Sequence, residues 1–298
     1  MVPEVLAINN ISKNYGKIQA LKNVSFSVPE GSVFGILGPN GSGKTTLLGI
    51  VMDILKATSG TFTFFGQPGS AAMRRQIGTL LETPNFYQYL SGERNLEIAA
   101  EIKGKGREDI SNVLQKVDLL ERRKSKFSTY SLGMKQRLAI ASALLGNPSV
   151  LVFDEPTNGL DPVGIADIRQ LIVKLAAEGK TIIMASHLLD EVEKVCSHVA
   201  ILKRGTLLTA GHVDDILVNE DIVEVSAADN IKLLEILHTM NGYTTIRQHP
   251  KVIQLLFPSG TAELSNINRH CFNNGIVLNH LNLKQKSLET KFFELTNQ

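Results

Sequence analysis

The chain has 298 residues, 43% of them apolar and 20% charged, with a formal net charge of +2. That length suits one large domain, or a large one with a small companion, and so small a charge gives no electrostatic case for nucleic acid or an anionic membrane as a partner. The longest apolar runs fall far short of the ~20 residues that cross a bilayer, and no charged n-region precedes an apolar stretch, so any membrane role is expected to come through a partner.

Residues 5–11 and 20–28 read as strands on either side of the polar turn Lys13-Asn14-Tyr15-Gly16-Lys17. After the turn Pro29-Glu30-Gly31, the near-continuous apolar run 32–37 predicts a buried strand. A glycine-rich loop follows, then an apolar helix over 43–55, a stop near Ser59-Gly60 and a short strand over 61–65. Residues 84–127 are mostly polar and read as helical, with helices over 93–102 and 108–120. Met134, Leu138, Ala141 and Leu145 recur at helical spacing, and Gly146-Asn147-Pro148 ends that helix. A buried strand over 150–153, a helix over 163–178 and a buried strand over 181–186 complete an alternation that predicts an α/β fold, with a parallel sheet covered on both faces.

The composition changes near Val218. Beyond it, strand 222–227, helix 231–240, strands 243–248 and 251–257, helix 261–274 and strand 276–283 follow in the order βαββαβ, a ferredoxin-like split unit. A last helix over 287–295 carries the apolar stripe Leu288, Phe292 and Leu295. The expected domains are therefore 1–218 and 219–298, the second α+β. Cys196 and Cys271 lack metal-ligand spacing and read as reduced thiols.

Gly38-Pro39-Asn40-Gly41-Ser42-Gly43-Lys44-Thr45 fits the G-x-x-x-x-G-K-[ST] phosphate loop, with a strand before it and a helix after it. Its glycines let backbone N–H groups wrap phosphate oxygens at the positive end of a helix. Lys44 is placed to neutralise the outer phosphates and the Thr45 hydroxyl to hold Mg²⁺. Asp154 ends the apolar run 150–153 and suits the same metal. Glu155 is a second carboxylate that Mg²⁺ alone explains poorly; general-base activation of water explains it better than capping a turn before Pro156. His187 follows a buried strand at its carboxyl end, where ligands of parallel sheets bind, and a bond to a γ-phosphate fits it. Tyr15 lies in a turn and suits packing as readily as adenine stacking. The segment Tyr130-Ser131-Leu132-Gly133-Met134-Lys135-Gln136-Arg137 starts a helix with a polar, glycine-containing turn that calls for an anion which its own surroundings do not supply.

Together these residues resemble the nucleotide-binding subunit of an ABC transporter, in the family's order, across roughly residues 5–215. The resemblance implies an ATP-binding P-loop core with an antiparallel β subdomain and a helical subdomain near 84–147. It makes Gly38 to Thr45 the Walker A loop, with Thr46 beside it, and 150–154 the Walker B strand. Glu155 becomes the catalytic glutamate, His187 the switch histidine, Tyr15 the adenine platform and Asn158-Gly159-Leu160-Asp161 the D-loop. Residues 130–134 stand where the family has its LSGGQ signature. The implied machine is a pair of ATP-binding subunits, homodimeric or otherwise, with each ATP and its Mg²⁺ held between Lys44 and Thr45 of one copy and Ser131 and Gly133 of the other. Its partners are integral-membrane permease subunits and not nucleic acid, and its place is the cytoplasmic face of the cell membrane. A soluble ABC-type ATPase of DNA repair or translation usually carries tandem cassettes or coiled-coil insertions, which this sequence lacks. A purely regulatory binding module is disfavoured by the intact Glu155 and His187.

Two departures narrow the resemblance. Leu132 replaces the first glycine of the signature, while Ser131 and Gly133 are kept. Glu82 stands where the Q-loop usually has glutamine, similar to the E-loop of ATPases in bacitracin- and lantibiotic-type exporters. Residues 83–87, 92–96 and 287–296 continue that likeness. Glu82 reads either as a further Mg²⁺ ligand or as a surface carboxylate of a coupling loop.

Overall fold

The computed structural model describes residues 3–81, 85–217, 221–258 and 260–284, with residues 288 and 292. Two compact units divide the chain, Met1–Val213 and Asp214–Gln298. Along the first run β1 (Glu4–Tyr15), β2 (Ile18–Pro29), β3 (Val33–Leu37), α1 (Lys44–Val51), β4 (Ser59–Phe64), β5 (Gln67–Pro68), α2 (Ala71–Arg74), β6 (Ile77–Leu80), α3 (Gly92–Lys103), α4 (Ile110–Lys116), α5 (Leu132–Leu144), β7 (Val150–Asp154), α6 (Pro162–Ala177), β8 (Thr181–Ser186), α7 (Leu189–Glu193), β9 (His198–Lys203) and β10 (Thr206–His212). The short α8 (Val213–Leu217) crosses the division, and β11 (Asp221–Ala227), α9 (Asn230–Leu237), β12 (Thr245–Gln248), β13 (Ile253–Phe257), α10 (Leu264–Asn273) and β14 (Leu278–Lys284) follow. Among the described residues no helix is long and apolar enough to cross a membrane.

The central sheet has the order β10-β9-β3-β8-β7-β6, parallel from β9 to β6 with β10 as an antiparallel edge. Every residue of β3, β7 and β8 is buried, as a parallel sheet covered on both faces requires. Because these three strands are neighbours and run the same way, Leu37, Asp154 and Ser186 bring their carboxyl ends to one edge, with Leu37 paired to Ser186 and Asp154 to Ala185. An antiparallel sheet, β2-β1-β4-β5, supplies Val5, Ile8, Val24 and Phe64 to one core with Phe34 of β3, Leu47 and Leu48 of α1, and Val152 of β7. Side-chain caps set the starts of several helices, among them α3, α5 and α6: Ser91 accepts from Arg94 N, Ser131 from Met134 N, and Asp161 from Gly164 N, with Pro162 fixing φ in the first turn of α6.

The first strands run further than the sequence pattern indicates. β1 and β2 pair up to Tyr15 and Ile18, and Gly16 at φ +58° lets a two-residue turn replace the five-residue one expected. The helix expected over 43–55 stops at Val51, and Asp53 turns left-handed at φ +59°. The strands β6, β9 and β10 have no counterpart in the sequence reading. In the second unit the antiparallel sheet β12-β13-β11-β14 and its two helices have the ferredoxin-like order. Val223, Val225, Ile253 and Leu255 pack on Leu233 and Leu237 of α9 and Ile267 and Cys271 of α10. The helix expected over 287–295 lies outside the described residues except for Leu288 and Phe292, and so does the boundary expected at 218; the packing itself divides after Val213.

Candidate nucleotide site

The loop between β3 and α1 is shaped by two glycines that tolerate no substitute. A β-carbon at Gly38 would stand 2.3 Å from Leu202 O and 2.5 Å from Ser42 Oγ. Gly43, at φ +107°, would put one 2.8 Å from Ala20 O. Backbone bonds pin the loop from both sides: Ser42 N donates to Pro39 O (3.1 Å), Gly205 N to Ser42 O (2.9 Å) and Lys22 N to Gly205 O (2.8 Å). The Gly205 turn joins β9 to β10, a hairpin the sequence reading passed over, although a glycine between two apolar-rich stretches signals one. Helix α1 starts on Gly43 with no side-chain cap and no acidic residue in its first turn. Its open N–H groups and the positive end of its dipole therefore face the loop. Ser42 Oγ is buried with no hydrogen-bond partner among the described residues. An uncapped helix start, an orphaned hydroxyl and a buried lysine together suit a bound phosphate chain.

Lys44 is 5% exposed. Its Nζ donates to Gly38 O (2.8 Å) and Pro39 O (3.4 Å) and lies 3.3 Å from Glu155 Oε1. The other oxygen of Glu155 is 2.8 Å from His187 Nδ1. Three residues from three separate segments thus form one chain of polar contacts at the common edge of β3, β7 and β8. Glu155 reaches this position because it turns left-handed, at φ +48°, directly after β7, where a non-glycine residue is strained by about 1–2 kcal/mol. Its N–H donates to Ala185 O (3.0 Å) and its carbonyl accepts from Asn158 N (3.1 Å). The backbone therefore makes the turn before Pro156 while the carboxylate points at Lys44 and His187. Asp154 is buried at the end of β7, Thr45 is exposed and Thr46 half-buried. Among the described residues no cluster of three or more His, Cys, Asp or Glu side chains could hold a metal. Glu82 lies outside them.

Tyr15 closes β1 with its ring 45% exposed and Lys13 Nζ 5.0 Å from the ring centroid, so it is not a core residue.

The segment that resembles the signature lies beside a second cavity. Ser131 caps α5, Leu132 is half exposed, and a β-carbon on Gly133 would meet nothing within 4 Å. Tyr130 is buried beneath, its hydroxyl donating to Arg122 O (2.8 Å); burial raises its pKa. A cavity of about 390 Å³ opens between this turn and the start of α6, lined by Ser131, Leu132, Gly133, Gly159, Leu160 and Asp161. No phosphate-loop residue lines it. The Asp161 carboxylate is engaged in capping α6, accepting from Gly164 N (3.0 Å). At its far end, α5 is held by Lys103 of α3, whose Nζ donates to Ser142 O (2.7 Å) and Ala143 O (3.2 Å). Burial, and then the like charge of Lys105, lower the Lys103 pKa to about 8.

Comparison with known proteins gives the chain's family. The family model described as ABC transporter matches residues 21–158. The bacitracin transport ATP-binding protein of Enterococcus faecalis is 34% identical, with 98% of this chain and 96% of that protein covered. The lantibiotic transport ATP-binding protein of Streptococcus pyogenes is 39% identical over 70% of this chain and 92% of its own length. The dimeric structure of the bacterial ABC transporter cassette MJ0796 is 29% identical, covers 70% of this chain and 98% of that one, and superposes with a TM-score of 0.63. This chain belongs to the ABC transporter family, as one of its ATP-binding and ATP-hydrolysing subunits.

Proposed function

We propose that the chain energises a membrane exporter of peptides, drugs or lipids, working as a head-to-tail pair of subunits with ATP between them. The observation that carries the catalytic part is the Lys44–Glu155–His187 chain beside the open start of α1. Lys44 and the α1 N–H groups bind the outer phosphates, and Tyr15 offers its exposed ring to adenine. Entry of the phosphates draws Lys44 from Glu155. The freed carboxylate polarises the attacking water while His187 and Lys44 stabilise charge developing on the transferred phosphoryl. Thr45 and Asp154, with Glu82 as a further carboxylate, are the residues that would hold Mg²⁺, which would supply neutralisation of the phosphate charge.

The pairing is supported by the signature segment. Ser131, Gly133 and the start of α5 offer an anion site beside a cavity that no phosphate-loop residue of the same chain lines, and the phosphate it takes comes from the partner copy. Asp161 contributes through the D-loop it closes. The motion of closing and opening reaches the membrane through permease subunits, with the protein on the inner face of the cell membrane, a reading supported by the transport ATP-binding proteins among its relatives. The bacitracin and lantibiotic transport named for its relatives supports the cargo class, and the ferredoxin-like unit stands as an accessory domain.

The test is Glu155→Gln. The variant binds ATP, loses nearly all hydrolysis and accumulates as a dimer under saturating Mg-ATP, measured by phosphate release and by light scattering on a sizing column. A monomer under those conditions, or undiminished turnover, rejects the mechanism.

A further inference from the structure

The signature carries a leucine at its third position, and the structure gives that side chain a contact. Leu132 is the first residue of α5 and remains 50% exposed. Its Cδ2 lies against Gly159, where an added β-carbon would stand 3.3 Å away. Gly159 is left-handed at φ +76° and sits inside an unbroken series of turns. Asn158 N donates to Glu155 O (3.1 Å) and Leu160 N to Thr157 O (3.3 Å), after which Asp161 caps α6. Glu155 is itself left-handed, so the direction of its carboxylate is set by this same run of turns. The turns on either side of Gly159 thus lead back to Glu155, whose carbonyl accepts from Asn158 N. The cavity beside the contact leaves Leu132 room to move with the signature turn.

We propose that Leu132 is a positioning residue that couples the signature turn to the catalytic carboxylate of its own subunit. The inference rests on the head-to-tail reading, in which Ser131 and Gly133 touch the partner's nucleotide while Glu155 serves the subunit's own. Leu132 then links the two sites: seating of one γ-phosphate on the signature turn presses Leu132 on Gly159 and sets Glu155 at the other. A glycine at this position has no side chain to make that contact.

The experiment compares Leu132→Gly, Leu132→Ala and Leu132→Met in the full-length chain. Hydrolysis is followed against ATP concentration, and nucleotide affinity of the monomer by titration with ADP. Leu132→Gly keeps the ADP affinity and lowers both kcat and the Hill coefficient, with a loss of coupling of about fivefold or more, and Leu132→Met restores both. Leu132→Ala, which keeps a β-carbon in the first helical turn, gives the intermediate result and stands in if glycine lowers the yield of folded protein. Unchanged kcat and Hill coefficient in Leu132→Gly overturn the inference, as does a lowered ADP affinity with kcat intact. The pairing is checked separately by combining Leu132→Gly with Glu155→Gln. A dimer under Mg-ATP keeps the head-to-tail reading, whatever happens to coupling; absence of the dimer in Glu155→Gln alone removes the reading and the inference with it.

Discussion

The ion pair between Lys44 and Glu155 makes a quantitative prediction about affinity. The 3.3 Å separation corresponds to about 5 kcal/mol of attraction at an effective dielectric of about 20. Only part of that opposes binding. Glu155 is one-fifth exposed, so solvent screens the pair; Lys44 keeps its bonds to Gly38 and Pro39 carbonyls; and His187 still holds the carboxylate after Lys44 leaves. A residual opposition of about 1–2 kcal/mol is reasonable, and Glu155→Gln removes it together with the repulsion between carboxylate and phosphate. The variant should therefore bind ADP about tenfold more tightly than the wild type, each 1.4 kcal/mol being tenfold in Kd. Calorimetric titration with ADP, and with ATP in chelator to prevent turnover, measures this. The gap should narrow as salt is raised, because the pair is partly open to screening. Equal or weaker binding by Glu155→Gln would refute the idea that the Lys44–Glu155 pair competes with phosphate.

Two further outcomes follow from the same coordinates. Gly38→Ala should lower ATP turnover by about a hundredfold, since the new methyl meets Leu202 O and Ser42 Oγ at 2.3 and 2.5 Å and displacing the loop by about 1 Å costs that much in rate; Gly41→Ala, with nothing within 4 Å of its methyl but a φ of +77° that costs alanine about 1–2 kcal/mol, should lose less in the same assay. Lys103 makes stability depend on pH. Below pH 8 folded and unfolded chains both hold its proton and the burial penalty is present in full, whereas between about 8 and 10.5 only the unfolded chain holds it, so stability should rise with pH through that window, by at most about 3 kcal/mol. Urea unfolding at pH 7.5 and 9.5 should show the wild type gaining on Lys103→Met as pH rises, and parallel profiles would refute this.

What the sequence made legible, and what it did not, divides along the range of the forces involved. The buried strands β3, β7 and β8 are readable because a strand covered on both faces must be apolar throughout. β10 escapes because its residues are half-exposed edge positions with no clean alternation, and β6 because four residues give no period. The phosphate loop is legible because its geometry is local: each glycine answers to a close approach or a positive φ within a few residues or one strand away. The bonds from Glu155 to Lys44 and His187 are not legible as bonds, because they depend on three strand ends meeting at one edge, and the left-handed turn that aims Glu155 has no glycine to announce it. Asp161 shows the converse: the family resemblance places it in the D-loop, and in the fold its carboxylate caps α6, a role open to an acidic residue directly before a proline. The signature segment is the extreme case. Its local sequence specifies a helix start and a turn that calls for an anion, its leucine looks like a defect in a motif, and only the approach to Gly159 relates that leucine to the run of turns that begins at Glu155. A residue that departs from its motif is therefore best judged by what it touches in the fold, because a motif records the contacts made with ligand and omits those made with the rest of the chain.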